Sequence, residues 1–294
     1  MRCSFLFVGC LSIVASAIMS SACSQGAAAL NENESAGSVA ASNSNRVVQA
    51  ADVPKPAPTA NLPPASVDPA FKACNPYYPL VPGSHLLYTI KRSGGPVGEV
   101  VVTISGEKGK KEITEVSKRL SVRGLGSGLE TTTRKYVCDG EKVEVVSDQI
   151  EATNPQGTSG QFQGKFPPSS LVMMAPAALT PGATWSYTMQ ANMKVPQKPD
   201  PKDPKAAKAT STQNKNEIKY VSKQDTIPLS FEVKGNEDIT VPAGTFHTIR
   251  VGVKVKDKTS DEYYAPGIGM VRRSLSDGTV WELSEYNGLT PQDK

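Results

Sequence analysis

Over residues 71–289 apolar and polar side chains alternate with a period of two, the spacing that sends successive side chains of an extended chain to opposite faces. In TIPLSFEVKG, Ile227, Leu229, Phe231 and Val233 share one face, and Ser230, Glu232 and Lys234 share the other. FHTIRVGVKVK groups His247 with Ile249, Val251, Val253 and Val255, which places His247 at the rim of the core face. Gly, Pro, Asn and Asp interrupt these runs at short intervals, and no long stretch carries the 3.6-residue period of an amphipathic helix. The pattern predicts an all-β, antiparallel domain. One hairpin is legible in TVPAGTFHT: Pro242 at its first corner and Gly244 three residues after Val241 suit a type I turn closed by a glycine of positive φ.

Two stretches nearly copy each other, LVPGSHLLYT from Leu80 and LTPGATWSYT from Leu179. In each a Pro-Gly turn launches a strand with large residues on one face: Leu86, Tyr88 and Ile90 in the first, Trp185, Tyr187 and Met189 in the second. Further on, RKYVCDGEKVEVV resembles DEYYAPGIGMVRR, with Tyr136 opposite Tyr263 and Gly140 opposite Gly267. Two related β units over residues 76–150 and 175–286 account for this, the second carrying an inserted segment at 194–223. The alternative is that a Pro-Gly turn before an aromatic strand arose twice.

Ahead of the alternating region the chain changes character. Arg2 and an uncharged apolar run from Phe5 to Met19 precede Ser20-Ser21-Ala22-Cys23, which reads as an export signal over residues 1–22. Ser21-Ala22-Cys23 resembles the end of a bacterial lipoprotein signal, in which the cysteine becomes the lipidated first residue; Ser20 departs from that motif. Ala15-Ser16-Ala17 offers a competing, ordinary cleavage site and a secreted product. Residues 23–70, rich in Ala, Ser, Asn and Pro, cannot bury enough apolar surface to fold and read as a disordered tether. With Cys3 and Cys10 in the leader and Cys23 as the lipid site, Cys74 and Cys138 remain as a pair in a compartment that permits disulfides.

The blocks YYPLVPGSHLLYTI, VPAGTFHTIRV and EYYAPGIGMVRRS resemble those of uncharacterised exported bacterial lipoproteins, which carry Pro-Leu-x-Pro-Gly-x-x-Trp-x-Tyr, Val-Pro-Ala-Gly-Thr-Phe and Tyr-Tyr-Ala-x-Gly-x-Gly-x-Val. Leu86 stands where that pattern has Trp, whereas Trp185 keeps it. The resemblance implies a curved antiparallel sheet, or by analogy of fold a half-barrel, on a tethered envelope protein, and implies no reaction. Ser24, next to the candidate lipid site, is what outer-membrane lipoproteins commonly carry.

Candidate chemistry is sparse. The chain contains two histidines, His85 and His247, neither with a motif partner. Ser105, Ser147 and Lys258 fall in an order reminiscent of penicillin-recognising enzymes, but SGEKGKKE carries two glycines and reads as a hairpin tip rather than a helix start. No cofactor or metal motif is present, and no carboxylate pair stands out. The formal net charge of +4 is concentrated in the Lys194–Lys223 arm, which could visit an anionic envelope surface or act only as a solubilising loop. The arm has no arginine and little aromatic content, which argues against nucleic acid. Leu171, Val172, Met173 and Met174, with Trp185 and Tyr187, could line an apolar ligand groove; a buried crossing between sheet layers is the plainer reading. The reading that follows is a non-enzymatic, lipid-anchored envelope protein whose β domain binds or scaffolds. A carrier of a lipid or other hydrophobic ligand is the alternative, and an envelope hydrolase or transferase the third.

Overall fold

The computed structural model describes residues 62–68, 71–93, 95–107, 110–121, 129–153, 159–196 and 220–292. The leader, Cys23, most of the tether and residues 197–219 of the basic arm lie outside the described residues. The strands are β1 (His85–Arg92), β2 (Gly95–Gly106), β3 (Glu112–Ser121), β4 (Leu129–Asp139), β5 (Lys142–Thr153), β6 (Ser159–Lys165), β7 (Leu171–Met173), β8 (Thr184–Pro196), β9 (Tyr220–Val241), β10 (Gly244–Val255), β11 (Lys258–Ala265), β12 (Gly269–Leu275) and β13 (Val280–Asn287). A single 3-10 turn, Pro176–Ala178, precedes β8.

All ladders are antiparallel, as the alternation requires. Neighbours in sequence are neighbours in space, and the order closes on itself: β13 returns to pair with β1, with Leu86 opposite Tyr286 and Ile90 opposite Trp281. The curved sheet therefore does not stop at a half-barrel but completes a twelve-strand ring. Closure pairs the edges that an open sheet would leave exposed, except along the short seam between β7 and β8, which share no ladder. β6 and β7 both pair with β5 and amount to one strand interrupted at residues 166–170.

The inward face is the apolar phase of the alternation. Ile227, Leu229, Phe231 and Val233 are all buried, facing Met189, Tyr187 and Trp185 of β8. Ile90, Val100, Tyr136, Trp281 and Leu283 fill the other side of the lumen. His247 departs from its expected place. The alternation of β10 breaks between Thr248 and Ile249, which are both buried, so Phe246 and Thr248 are buried while His247 faces outward. The hairpin between Val241 and Gly244 forms as expected, with Gly244 at φ 139°.

Both Pro-Gly turns use the same device. Gly83 (φ 85°) donates its N–H to Ile104 O of β2 at 2.8 Å, and Gly182 (φ 87°) donates to Val233 O of β9 at 2.8 Å. A positive φ costs glycine little and most residues much, so each turn can hook onto the strand following the one it launches. A second correspondence falls one residue from the sequence alignment. Ladder shifts precede Tyr136 in β4 and Tyr264 in β11, and these are the two tyrosines turned into the lumen; Tyr263 is on the outer face.

One end of the barrel is capped by both termini. Ser66 N–H bonds Gly83 O at 3.2 Å, Asn287 Nδ2 bonds Pro63 O at 3.1 Å, and Gln292 N–H bonds Pro266 O at 3.0 Å. Between them, residues 71–80 form a lid. Cys74 is joined to Cys138 at the end of β4 by a disulfide, Cα–Cα 5.8 Å. Asn75 is fully buried and donates to Glu141 O (2.6 Å) and Met174 O (2.9 Å), tying the lid to two sides of the rim.

Candidate functional site

Inside the barrel, five charged side chains occupy positions in phase with apolar neighbours. On β4 the inward run is Thr132, Arg134, Tyr136; on β11 it is Ser260, Glu262, Tyr264. Arg134 Nη2 meets Asp148 Oδ2 of β5 at 3.3 Å, and its Nη1 lies 3.6 Å from Glu115 Oε1 of β3. Arg134 also donates to the Tyr136 hydroxyl at 3.1 Å. Across the lumen Glu262 accepts from Arg273 of β12 and from the Tyr264 hydroxyl. The lid supplies the last member: Tyr78 shares a 2.8 Å hydrogen bond with Tyr136, and its ring packs on Tyr136 and Tyr264 at centroid distances of 5.5 and 6.0 Å.

The cluster holds three carboxyls and two guanidiniums. Glu262 and Arg273 match one to one, while Arg134 serves both Glu115 and Asp148. Burial raises the carboxyls of Glu115 and Asp148 above their ordinary values, with Arg134 opposing the shift in each. Arg134 stays charged: burial works against it, but Asp148, Tyr136 and Glu115 together outweigh that. Burial likewise drives the phenols of Tyr78, Tyr136 and Tyr264 upward, so all three remain hydrogen-bond donors at any physiological pH.

Two small cavities, about 80 and about 50 Å³, flank this cluster and share Tyr78, Arg134, Tyr264 and Arg273 as a partition. Each has room for a few water molecules. Their remaining walls are apolar, Leu86, Val100 and Trp281 in the first and Leu229, Phe231 and Val253 in the second. Larger hollows lie elsewhere. A concavity of about 650 Å³ runs across β8 to β12, and one of about 340 Å³ lies beside Phe246, His247 and Pro291.

The residues singled out in the sequence fall in the wall. Cys74 and Cys138 are bonded as expected. Leu171, Val172 and Met173 form β7, with Met173 fully buried opposite Val143, and Met174 follows it. Beyond Lys165 the wall between β7 and β8 is bridged by Trp185, whose indole N–H donates to Leu171 O at 3.0 Å. Trp185 stacks on Phe231 at 5.1 Å, and Tyr187 packs between Phe231 and Phe166. These six residues seal a broken strand. His85 bonds Thr103 through Nδ1 at 3.2 Å, and His247 bonds Asp238 at 2.8 Å on the outer surface; the two sit on different strands, β1 and β10. Ser105 lies at the end of β2, before the hairpin that leads to β3.

Glu115, Arg134, Asp148, Glu262 and Arg273 were missed in the sequence. The signal was present: a charge standing in the apolar phase of a strand, as Arg134 does two residues before Tyr136, is either an error of register or a buried ion pair.

The DUF3108-like family matches residues 98–284, from within β2 to within β13. The chain belongs to the DUF3108-like family. Among curated proteins, none matches it. Two solved structures align with it at low similarity. A candidate lipoprotein from Parabacteroides distasonis aligns with 74% of this chain and 100% of its own, at 13% identity and TM-score 0.36. A candidate exported protein with a YmcC-like fold from Bacteroides fragilis aligns with 70% of this chain and 96% of its own, at 13% identity and TM-score 0.32. At those scores the likenesses carry no argument about what this DUF3108-like chain does.

Proposed function

We propose that the chain is a non-enzymatic envelope protein, lipid-anchored at Cys23 and joined to its membrane, the outer membrane on the reading of Ser24, by the tether of residues 23–70. Its closed barrel binds or scaffolds through the outer wall. The observation that supports this over the carrier reading is the filled lumen. Among the described residues, the interior cavities of about 80 and 50 Å³ are well below the ~300–1,000 Å³ of ordinary small-molecule sites, and the hollows of that size face outward. The lid is held by a disulfide and by Asn75, and Tyr78 occupies the space a cargo would need. Residues 62–68 join the barrel at the capped end, whereas β8 ends and β9 begins at the opposite end.

Intact mass of the mature protein, taken from membranes of its native host, tests the anchor. A diacylglycerol adduct on Cys23 is expected; an unmodified chain beginning at Ile18 contradicts it.

A further inference from the structure

The outward face of β8 to β12 differs from the rest of the wall. Cross-strand register assembles two adjacent rows there. One runs Ser186, Ser230, Lys254, Thr259 and then Ser276; the other runs Thr184, Glu232, Gly252, Asp261 and Ser274. The next outward row is much taller, because Tyr263 is held between the guanidiniums of Arg250 and Arg272 at 5.8 and 5.9 Å from its ring centre. Short hydroxyl side chains beside a tall stacked row leave the concavity of about 650 Å³. Five strands at ordinary spacing make it about 19 Å across. At its centre Gly252 lies between Glu232 and Asp261, with the flexible Lys234 side chain folded over it.

The chemistry of this surface selects its ligand. Serine and threonine hydroxyls each donate one hydrogen bond and accept others, and the carboxylates and lysines add pure acceptors and pure donors. Lys234 and Lys254 are balanced by Glu232 and Asp261, and three of these charges are already engaged, Lys234 with Glu232 and Asp261 with Arg250 at 2.7 Å. A charge-balanced groove exerts little pull on a polyanion. An acyl chain finds only the partly buried Trp185 and Leu275, since Phe231 and Val253 are buried in the barrel. The aromatic anchors that dominate protein–protein interfaces are absent from the two rows, and the neighbouring Tyr263 is itself buried. What fits is a ligand dense in groups that both donate and accept, several rings long.

We propose that this groove binds a saccharide chain of the cell envelope. The proposal deepens the binding role given above and rests on it. Glu232 and Asp261 accept from ring hydroxyls or acetamido N–H groups, the serine and threonine hydroxyls line the flanks, and the flexible Lys234 side chain swings off Gly252 to let the sugar approach the strand.

The test uses the full mature chain and three probes: isolated peptidoglycan sacculi, lipopolysaccharide, and a tetramer of N-acetylglucosamine. Gly252→Phe fills the groove; its backbone angle needs no glycine, and the added carbon meets only the flexible end of Lys234, at 2.9 Å. Ser230→Trp blocks the same space from an ordinary strand position and serves if the first variant fails to fold. Gln163→Phe places equal bulk on the outer face of β6, away from the groove. Expected is binding of the wild type to one of the probes, weakened at least tenfold by either groove variant and unchanged by Gln163→Phe. Sedimentation with sacculi or capture of lipopolysaccharide then identifies the source. Absence of wild-type binding to all three probes, or equal binding by a folded groove variant, overturns the proposal. If that happens while Cys23 carries its lipid, the anchored barrel stands and only the saccharide site falls.

Discussion

Arg134 and Asp148 meet at 3.3 Å inside the barrel, with the Asp148 side chain wholly shielded from solvent. Their partner arrangement is lopsided, because the same guanidinium also faces Glu115. Removing one side of a buried ion pair leaves an uncompensated charge, whereas removing both can be nearly neutral. Arg134→Met should therefore lower unfolding stability by about 3–5 kcal/mol in urea titration. Arg134→Met with Asp148→Leu should recover most of that loss, since Glu115 can then keep its proton.

The surplus carboxyl gives the fold a dependence on pH whose sign follows from burial. The carboxyls of Glu115 and Asp148 are raised above their unfolded values. A raised group contributes stability that is complete below its unfolded pKa and disappears as pH climbs through its folded pKa. Glu115→Gln removes the excess charge and leaves the Arg134–Asp148 pair. The variant should thus gain on the wild type as pH is taken from 4 to 8, seen as a widening gap between denaturation midpoints. A gap that narrows over that range contradicts the arrangement.

The Cys74–Cys138 bridge closes a loop with a sequence separation of 64 and fastens the lid over the lumen. On the chain-entropy relation, losing it costs about 4 kcal/mol. Cys74→Ala with Cys138→Ala should unfold at correspondingly lower urea, and reductant should shift the wild type but not the double variant. Tyr78→Phe should cost only about 1 kcal/mol, because the Tyr136 hydroxyl keeps its bond from Arg134.

Trp185 closes the interrupted part of the wall in two ways, by stacking on Phe231 and by the bond to Leu171 O. Trp185→Ala should lose about 3 kcal/mol. Trp185→Phe keeps most of the stack and forfeits the indole N–H, a loss of about 1 kcal/mol. Equal losses in the two would mean that the hydrogen bond, rather than packing, holds the seam.

The architecture was legible where side-chain alternation is strict. β9 shows its inward face residue by residue, and the Val241–Gly244 hairpin follows from turn chemistry alone. His247 was not legible, because the alternation of β10 breaks between Thr248 and Ile249, and that break leaves no mark in composition. Tyr264 was overlooked for a simpler reason: plain alternation turns it inward with Ser260 and Glu262, whereas the alignment set Tyr263 opposite Tyr136. Closure of the ring was invisible for a different reason, since the contact of β13 with β1 joins the two ends of the domain and no local pattern encodes it. The Leu171–Met174 run was correctly seen as apolar, yet whether it lines a groove or a wall depends on Trp185 reaching across to Leu171.

Native mass spectrometry of the mature protein, released gently from membranes, tests the filled and closed barrel most directly. Expected is a single species whose mass is accounted for by the polypeptide, its one disulfide and the covalent lipid on Cys23, with nothing lost on mild activation. A stoichiometric, non-covalent lipid that departs on activation would mean that the lumen opens and carries cargo, and would contradict the scaffold reading.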